Sequence, residues 1–383
     1  MKGREIRSVL VAPDSFKGSL TSREAAAAIA DGVRDALPSA SVTIHPVSDG
    51  GEGFVEVLAP HLDGEIVTTV VSGPLPGTKA EARWALCRGG DLALIEMAQA
   101  AGLNLVPPSR RDPKITTTRG VGELILAACR AGVKEIILGL GGSGTNDGGA
   151  GMAEGLGVRF LDADGVPIGP GGGALARLAS IDLSGLEPAV TRVRFTAACD
   201  VAVPLLGPRG ASVLFAPQKG AARSEVPLLE GGLSRLAEVI QETLGIDVRE
   251  IAGGGAAGGL GAGCAAFCAA ELRPGIEIVL EITRFDDALK HADLVITGEG
   301  KLDAQSRQGK AVSGIFRRAR LGGKPVIAVV GSDDRIDAGV PEEEGCLAVA
   351  SIVNTRTSST EAMRNAAPLL RERTAELLRS ILE

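Results

Sequence analysis

Runs with strand character at residues 8–12, 41–47, 135–140, 195–199 and 293–297 each lead directly into a loop dense in glycine, carboxylate or lysine. Strands that are apolar along most of their length must be covered on both faces, the condition of a parallel sheet packed between helices. Open sheets of that kind gather ligand-binding groups at the carboxyl ends of their strands. The recurrence therefore constrains the chain to an α/β fold whose chemistry sits in the loops that follow strands. Apolar residues make up 45% of the chain, but only 2% are aromatic and there is no Tyr, so Ala, Val, Leu and Ile must build the core. That palette suits α/β packing and argues against base stacking.

The 383 residues exceed what one hydrophobic core usually organises. The first unit reads as strand 8–12, a helix over 22–37 opened by a Thr21/Glu24 capping box, and an alternating strand over 41–47. Residues 65–72, 79–87 and 92–97 then form three successive strands, which breaks the βα rhythm. Further strands are expected at 157–161 and 192–199 and a long helix at 224–244, while 253–263 is almost entirely Gly and Ala. From residue 284 alternation returns, with strands at 293–297, 326–330 and 347–353, a helix over 309–320 and a closing helix from Thr360. The expected fold class is α/β with two domains. Residues 1–60 and 284–383 form a Rossmann-like parallel-sheet domain, a mixed α/β domain of 61–283 is inserted, and the ligand cleft lies between them.

Charge narrows the partners. A net charge of -7 and no polybasic cluster exclude a nucleic-acid backbone or a membrane surface as the expected partner. The N-terminus lacks the longer apolar stretch of a signal peptide and no run approaches a membrane span, so a cytoplasmic protein is expected. The six cysteines read as buried thiols; Cys264 and Cys268 share a helix face without further zinc ligands nearby. His45, His61 and His291 have no metal-ligand spacing. A P-loop, the protein-kinase motifs and a G-x-S-x-G elbow are absent.

Four loop sets can carry chemistry. Asp14, Ser15 and Lys17, with Ser19 ahead of a helix, suit a phosphate, although a solvated turn explains them equally well. Asp49 and Glu52, set among three glycines, can hold a metal directly or through water. The stretch from Gly139 to Gly144 matches G-x-G-x-x-G after a strand, with Asp162 at the separation a dinucleotide ribose requires. Its would-be helix is studded with glycine, so an anion-binding loop offering Ser143, Thr145, Asn146 and Asp147 is the better reading. The last set is scattered: Asp200 ends an apolar strand, Gln218 and Lys219 follow Pro217, Glu299, Lys301 and Asp303 follow the strand 293–297, and Lys310 begins the next helix.

At these residues the chain resembles the bacterial glycerate kinase family. VAPDSFKGSLTSREAA, VSDGGEG, RDPKITTTRGVGELI, GGSGTNDGGAGM, APQKGA, GGGAAGGLGAG and DLVITGEGKLDAQSRQGK occur in the family's order, from about residue 8 to at least residue 355. The resemblance implies phosphorylation of D-glycerate by ATP and Mg²⁺, at the 2-hydroxyl rather than the 3-hydroxyl in most bacterial members, on a two-domain α/β fold. On that basis the glycine-rich loops at Ser143, Asn146 and Asp147 and at Gly255 and Gly258 are expected to hold the ATP phosphates, helped by Lys301 and Lys310. Asp49, Glu52, Asp200 and Asp303 are expected around Mg²⁺. Asp14, Ser15, Thr117, Arg119 and Lys219 are expected on the substrate side, and Asp200, Asp49 and Lys17 form the expected catalytic set. Val203 stands where the family commonly has Asn, and Gly144 where it has Ala. A homodimer is left open, and an NAD-dependent oxidoreductase or a non-catalytic phosphometabolite-binding protein are the alternatives.

Overall fold

The computed structural model describes residues 5–199, 202–302, 311–333, 345–354 and 357–383. The chain divides into two compact units, Met1–Asp49 with Ile276–Glu383, and Gly50–Gly275.

In the first unit five parallel strands lie in the spatial order Ser41–Ile44, Ser8–Val11, Leu294–Thr297, Val326–Val330 and Cys346–Ser351. Numbered along the chain, that order is 2-1-3-4-5. The direction in which the chain adds strands reverses between the first and third, and such a switch point opens a crevice at the strands' carboxyl ends. The central strands are buried except at Ser8, as their apolar runs require. Helix Ser22–Ala36 begins at the expected capping box, in which Thr21 Oγ1 accepts from the Glu24 amide and Glu24 Oε2 accepts from the Thr21 amide. It packs against Ala366–Leu382 at Gly32, where a Cβ would lie 2.3 Å from the Arg371 carbonyl oxygen. Only a glycine lets the helices approach so closely.

The second unit carries a six-stranded mixed sheet. Glu65–Ser72, Lys79–Cys87 and Leu92–Glu96 form an antiparallel meander, and Glu135–Gly139, Arg194–Ala198 and Glu271–Arg273 extend it in parallel. Trp84 on the central meander strand donates to Thr69 Oγ1 across it at 3.0 Å. Helix Val226–Leu244 is somewhat shorter than the sequence suggests and stops at Gly245, which adopts the left-handed φ of 70°. The 159–161 strand pairs with Ser180–Asp182 in a separate hairpin rather than joining the main sheet.

The first crossing between units falls near residue 49 rather than 60. Residues 50–58 belong with the second unit: Gly141 donates to the Gly50 carbonyl at 3.0 Å, Val55 donates to Glu96 Oε1 at 2.7 Å, and Phe54 and Leu58 are buried. No helix among the described residues is long and apolar enough to cross a membrane.

Candidate active site

The loops that leave the carboxyl ends of the first unit's strands are laced together by their backbones. Asp14 donates to the Gly298 carbonyl at 2.8 Å, Ser332 to Gly300 at 3.1 Å, and Val353 to Gly331 at 2.9 Å. Phe16 and Leu20 exchange backbone bonds around Gly18, whose φ of 79° closes the turn. At Gly300 a Cβ would lie 3.2 Å from the Lys17 nitrogen, so the third strand's loop presses directly on the first.

These loops enclose a cavity of about 360 Å³ at the switch point. Asp14, Ser15, Lys17, Ser19, Asp49, Glu299 and Lys301 line its polar part, while Ile352, Val353, Ala362 and Met363 form an apolar wall. Asp14 and Glu299 are buried and Asp49 is half-buried. Burial holds the Asp14 carboxyl well above the usual range, the charge of Asp49 raises it further, and Glu299 adds to the effect; the Ser15 amide and the Lys17 ammonium oppose them. The buried Ser48 hydroxyl, next in the chain to Asp49, has no hydrogen-bond partner among the described residues.

Asp14, Ser15, Lys17, Asp49 and Lys301 from the sequence-derived set thus meet in one cavity. Glu52 is exposed, lies in the other unit and does not line it. Asp200, Asp303 and Lys310 fall outside the described residues. Glu299 was visible to sequence reasoning as a carboxylate following a strand. Ser332, Val353 and Met363 were not, because they carry no charge or glycine motif.

In the second unit Asn146 and Asp147 are buried, Ser143 is partly buried and Arg119 is exposed. Asp147, 1% exposed, accepts from the Thr118 amide at 2.8 Å, the Thr118 hydroxyl at 2.9 Å, and the Gly149 and Gly151 amides at 3.2 and 3.3 Å. Asn146 donates to Ser212 Oγ at 3.1 Å, while Asn146 Oδ1 and Thr145 Oγ1 find no partner among the described residues. Thr117 Oγ1 accepts from the Arg119 amide at 3.2 Å. The Arg119 guanidinium, half-exposed, faces Glu123 at 3.4 Å and Glu154 at 3.7 Å. Burial raises the Glu154 carboxyl to about 7, against the pull of Arg119.

Gly255 and Gly258 pack on backbone instead of lining an open loop. A Cβ at Gly258 would lie 2.1 Å from the Thr145 carbonyl oxygen, and one at Gly255 would lie 2.2 Å from that of Pro204. The Gly255 amide donates to the Val203 carbonyl at 2.9 Å, a bond that any residue at 203 can accept. The Gly139–Gly144 motif is spent in the same way, since a Cβ at Gly141 would lie 2.3 Å from Gly51 Cα. Asp162 accepts from the Asp164 and Val166 amides and caps a turn. The dinucleotide reading is not supported.

Lys219, 1% exposed, donates to the Thr145 carbonyl at 2.7 Å, and burial lowers its amine from 10.5 to about 7 despite Asp147 nearby. Between those two values the unfolded chain holds a proton that the folded chain has lost, so this group makes stability rise with pH across the window from about 7 to 10.5. Lys219→Met, of similar length and uncharged, is expected to remove that rise. Urea midpoints at about pH 7 and pH 9.5 check it; an undiminished difference in the variant would assign the proton to another group.

The sequence profile of the glycerate kinase family matches residues 9–382. The chain belongs to the glycerate kinase family. A glycerate kinase of Bacillus subtilis (strain 168) is 46% identical over 367 residues, covering 96% of this chain and 95% of the relative. The glycerate 2-kinase of Escherichia coli (strain K12) is 46% identical over 358 residues, covering 94% and 93%. A crystal structure from Salmonella typhimurium LT2, provisionally named glycerate kinase 2, superposes with a TM-score of 0.79 at 44% identity and covers 98% of each chain. The family's glycine-dense motifs thus fall in two kinds of place here: the cavity loops of the parallel-sheet unit and the backbone scaffold of the mixed-sheet unit.

Proposed function

We propose that this chain transfers the γ-phosphoryl group of ATP to the 2-hydroxyl of D-glycerate, with Mg²⁺ between phosphates and protein. Family membership and the curated relatives at 46% identity support glycerate phosphorylation, and the name of the Escherichia coli relative favours the 2-hydroxyl. The observation that carries the reading is the cavity at the switch point, where Asp14, Asp49 and Glu299 face the same space as Lys17 and Lys301. Phosphoryl transfer asks a protein for alignment and charge neutralisation more than for covalent chemistry, and this set supplies both signs of charge.

Among the described residues no three carboxylate, histidine or cysteine side chains form a ready-made metal cage. Mg²⁺ does not need one, because it keeps several waters and binds through one or two carboxylates together with substrate phosphates. The crowding of Asp14, Asp49 and Glu299 around one cavity, with the mutual repulsion it brings to Asp14, fits such a cation. Bound there, it would neutralise charge developing on the β- and γ-phosphates. Asp14, Asp49 and Glu299 would hold the metal, and Lys17 and Lys301 would offset the remaining phosphate charge. As the oxygen of the substrate hydroxyl bonds to the γ-phosphorus and the bridge to the β-phosphate breaks, the hydroxyl proton passes to a carboxylate. We assign that role to Asp200 or Asp49.

Purified protein mixed with MgATP and D-glycerate is expected to release ADP and give a single 2-phosphoglycerate resonance by phosphorus NMR, with no turnover without magnesium. A 3-phosphoglycerate product would overturn the choice of hydroxyl. Folded protein that releases no ADP would overturn the kinase reading.

A further inference from the structure

One part of the cavity has no role in holding phosphates or metal. Ile352 and Val353 follow the fifth strand, Ala362 and Met363 lie on the helix Ser359–Arg364, and together they present an apolar surface to the space that Lys17 and Lys301 border. Ile352 and Ala362 are buried, whereas Met363 is 55% exposed. Its terminal methyl would lie only 3.3 Å from a Cβ at Gly18, so Met363 and the 14–20 loop face each other closely. Glycerate, with a carboxylate and two hydroxyls on three carbons, has nothing to bury against this wall. ATP does: a flat heteroaromatic base at one end and a triphosphate at the other match a cavity that is apolar on one side and charged on the other. Methionine is also well suited to an aromatic face, being flexible and polarisable.

We propose that the adenosine of ATP is held in the parallel-sheet unit against Ile352, Val353, Ala362 and Met363, with its triphosphate directed to Lys17 and Lys301. The inference rests on the kinase reading for the identity of the nucleotide. It locates nucleotide recognition in residues that bear no glycine-rich signature, and leaves Gly255, Gly258 and Asn146 as scaffold.

Two measurements test it. Met363→Glu changes an exposed helix position and sets a carboxylate beside the triphosphate path, so KM for ATP should rise about tenfold or more while KM for D-glycerate stays within about twofold. A rise confined to D-glycerate, or no change in either constant, would overturn the assignment. The unmodified protein irradiated with 8-azido-ATP and Mg²⁺ should carry the label on peptides containing residues 345–354 or 359–364. Label on residues 139–149 or 253–263, or none protectable by ATP, would also overturn it. The photolabel does not depend on turnover. Labelling of the wall in a protein that fails to phosphorylate glycerate would sink the kinase reading and leave the nucleotide subsite standing, and turnover with label elsewhere would do the reverse.

Discussion

Asp14→Asn is expected to lower kcat by about two to three orders of magnitude, the loss of one metal-holding charge, while raising the melting temperature of the metal-free protein. Asp14 is 5% exposed and shares its cavity with Asp49 and Glu299, so its ionised form suffers both desolvation and like-charge repulsion. An amide of the same shape removes both penalties and can still accept from the Ser15 amide, now 2.6 Å from Asp14 Oδ1. The same change deletes a charge that, on the proposed mechanism, holds the metal against the phosphates. Active sites commonly hold such groups at the expense of stability. Steady-state kinetics at saturating MgATP and thermal melts with and without MgCl₂ check both halves. Magnesium should raise the wild-type melting temperature more than that of the variant. Wild-type turnover in Asp14→Asn would remove Asp14 from the mechanism.

The middle of the parallel sheet was legible because its strands are buried on both faces and so read as apolar runs; Val326–Val330 begins and ends where the pattern says. The loops lining the cavity were legible for a related reason, since a carboxylate or lysine just after such a run stands out against it. What could not be read was set by contacts remote in sequence. Gly258 and Gly141 look like phosphate-loop glycines, yet each lies where a neighbouring backbone leaves no room for a Cβ. Close packing of two backbones and close approach to a phosphate demand the same residue. Met363 and Val353 were invisible because an apolar side chain facing a cavity has the same letter as one facing a core. Lys219 looked like a surface or substrate-facing lysine, and nothing in the sequence marked its burial against the Thr145 carbonyl.

Asp147 shows how far a site-like motif can be structural. Its two oxygens accept three backbone amides and one hydroxyl, from Thr118 at the start of helix Arg119–Arg130 and from Gly149 and Gly151 at the start of helix Ala150–Gly155. Gly149 takes a left-handed φ of 79°, and no side chain at either helix start makes the usual cap. One carboxylate therefore does the work of two caps. Asp147→Ala would strand those buried donors at about 1–3 kcal/mol each, a total on the order of 4 kcal/mol or more. That is a large share of the roughly 5–15 kcal/mol by which a domain of this kind is stable. The variant is expected to unfold at far lower urea than the wild type, by circular dichroism, with Asp147→Asn intermediate because one oxygen can still accept. If Asp147→Ala instead folds with a near wild-type midpoint and loses only activity, the carboxylate belongs to the chemistry and the scaffold holds without it.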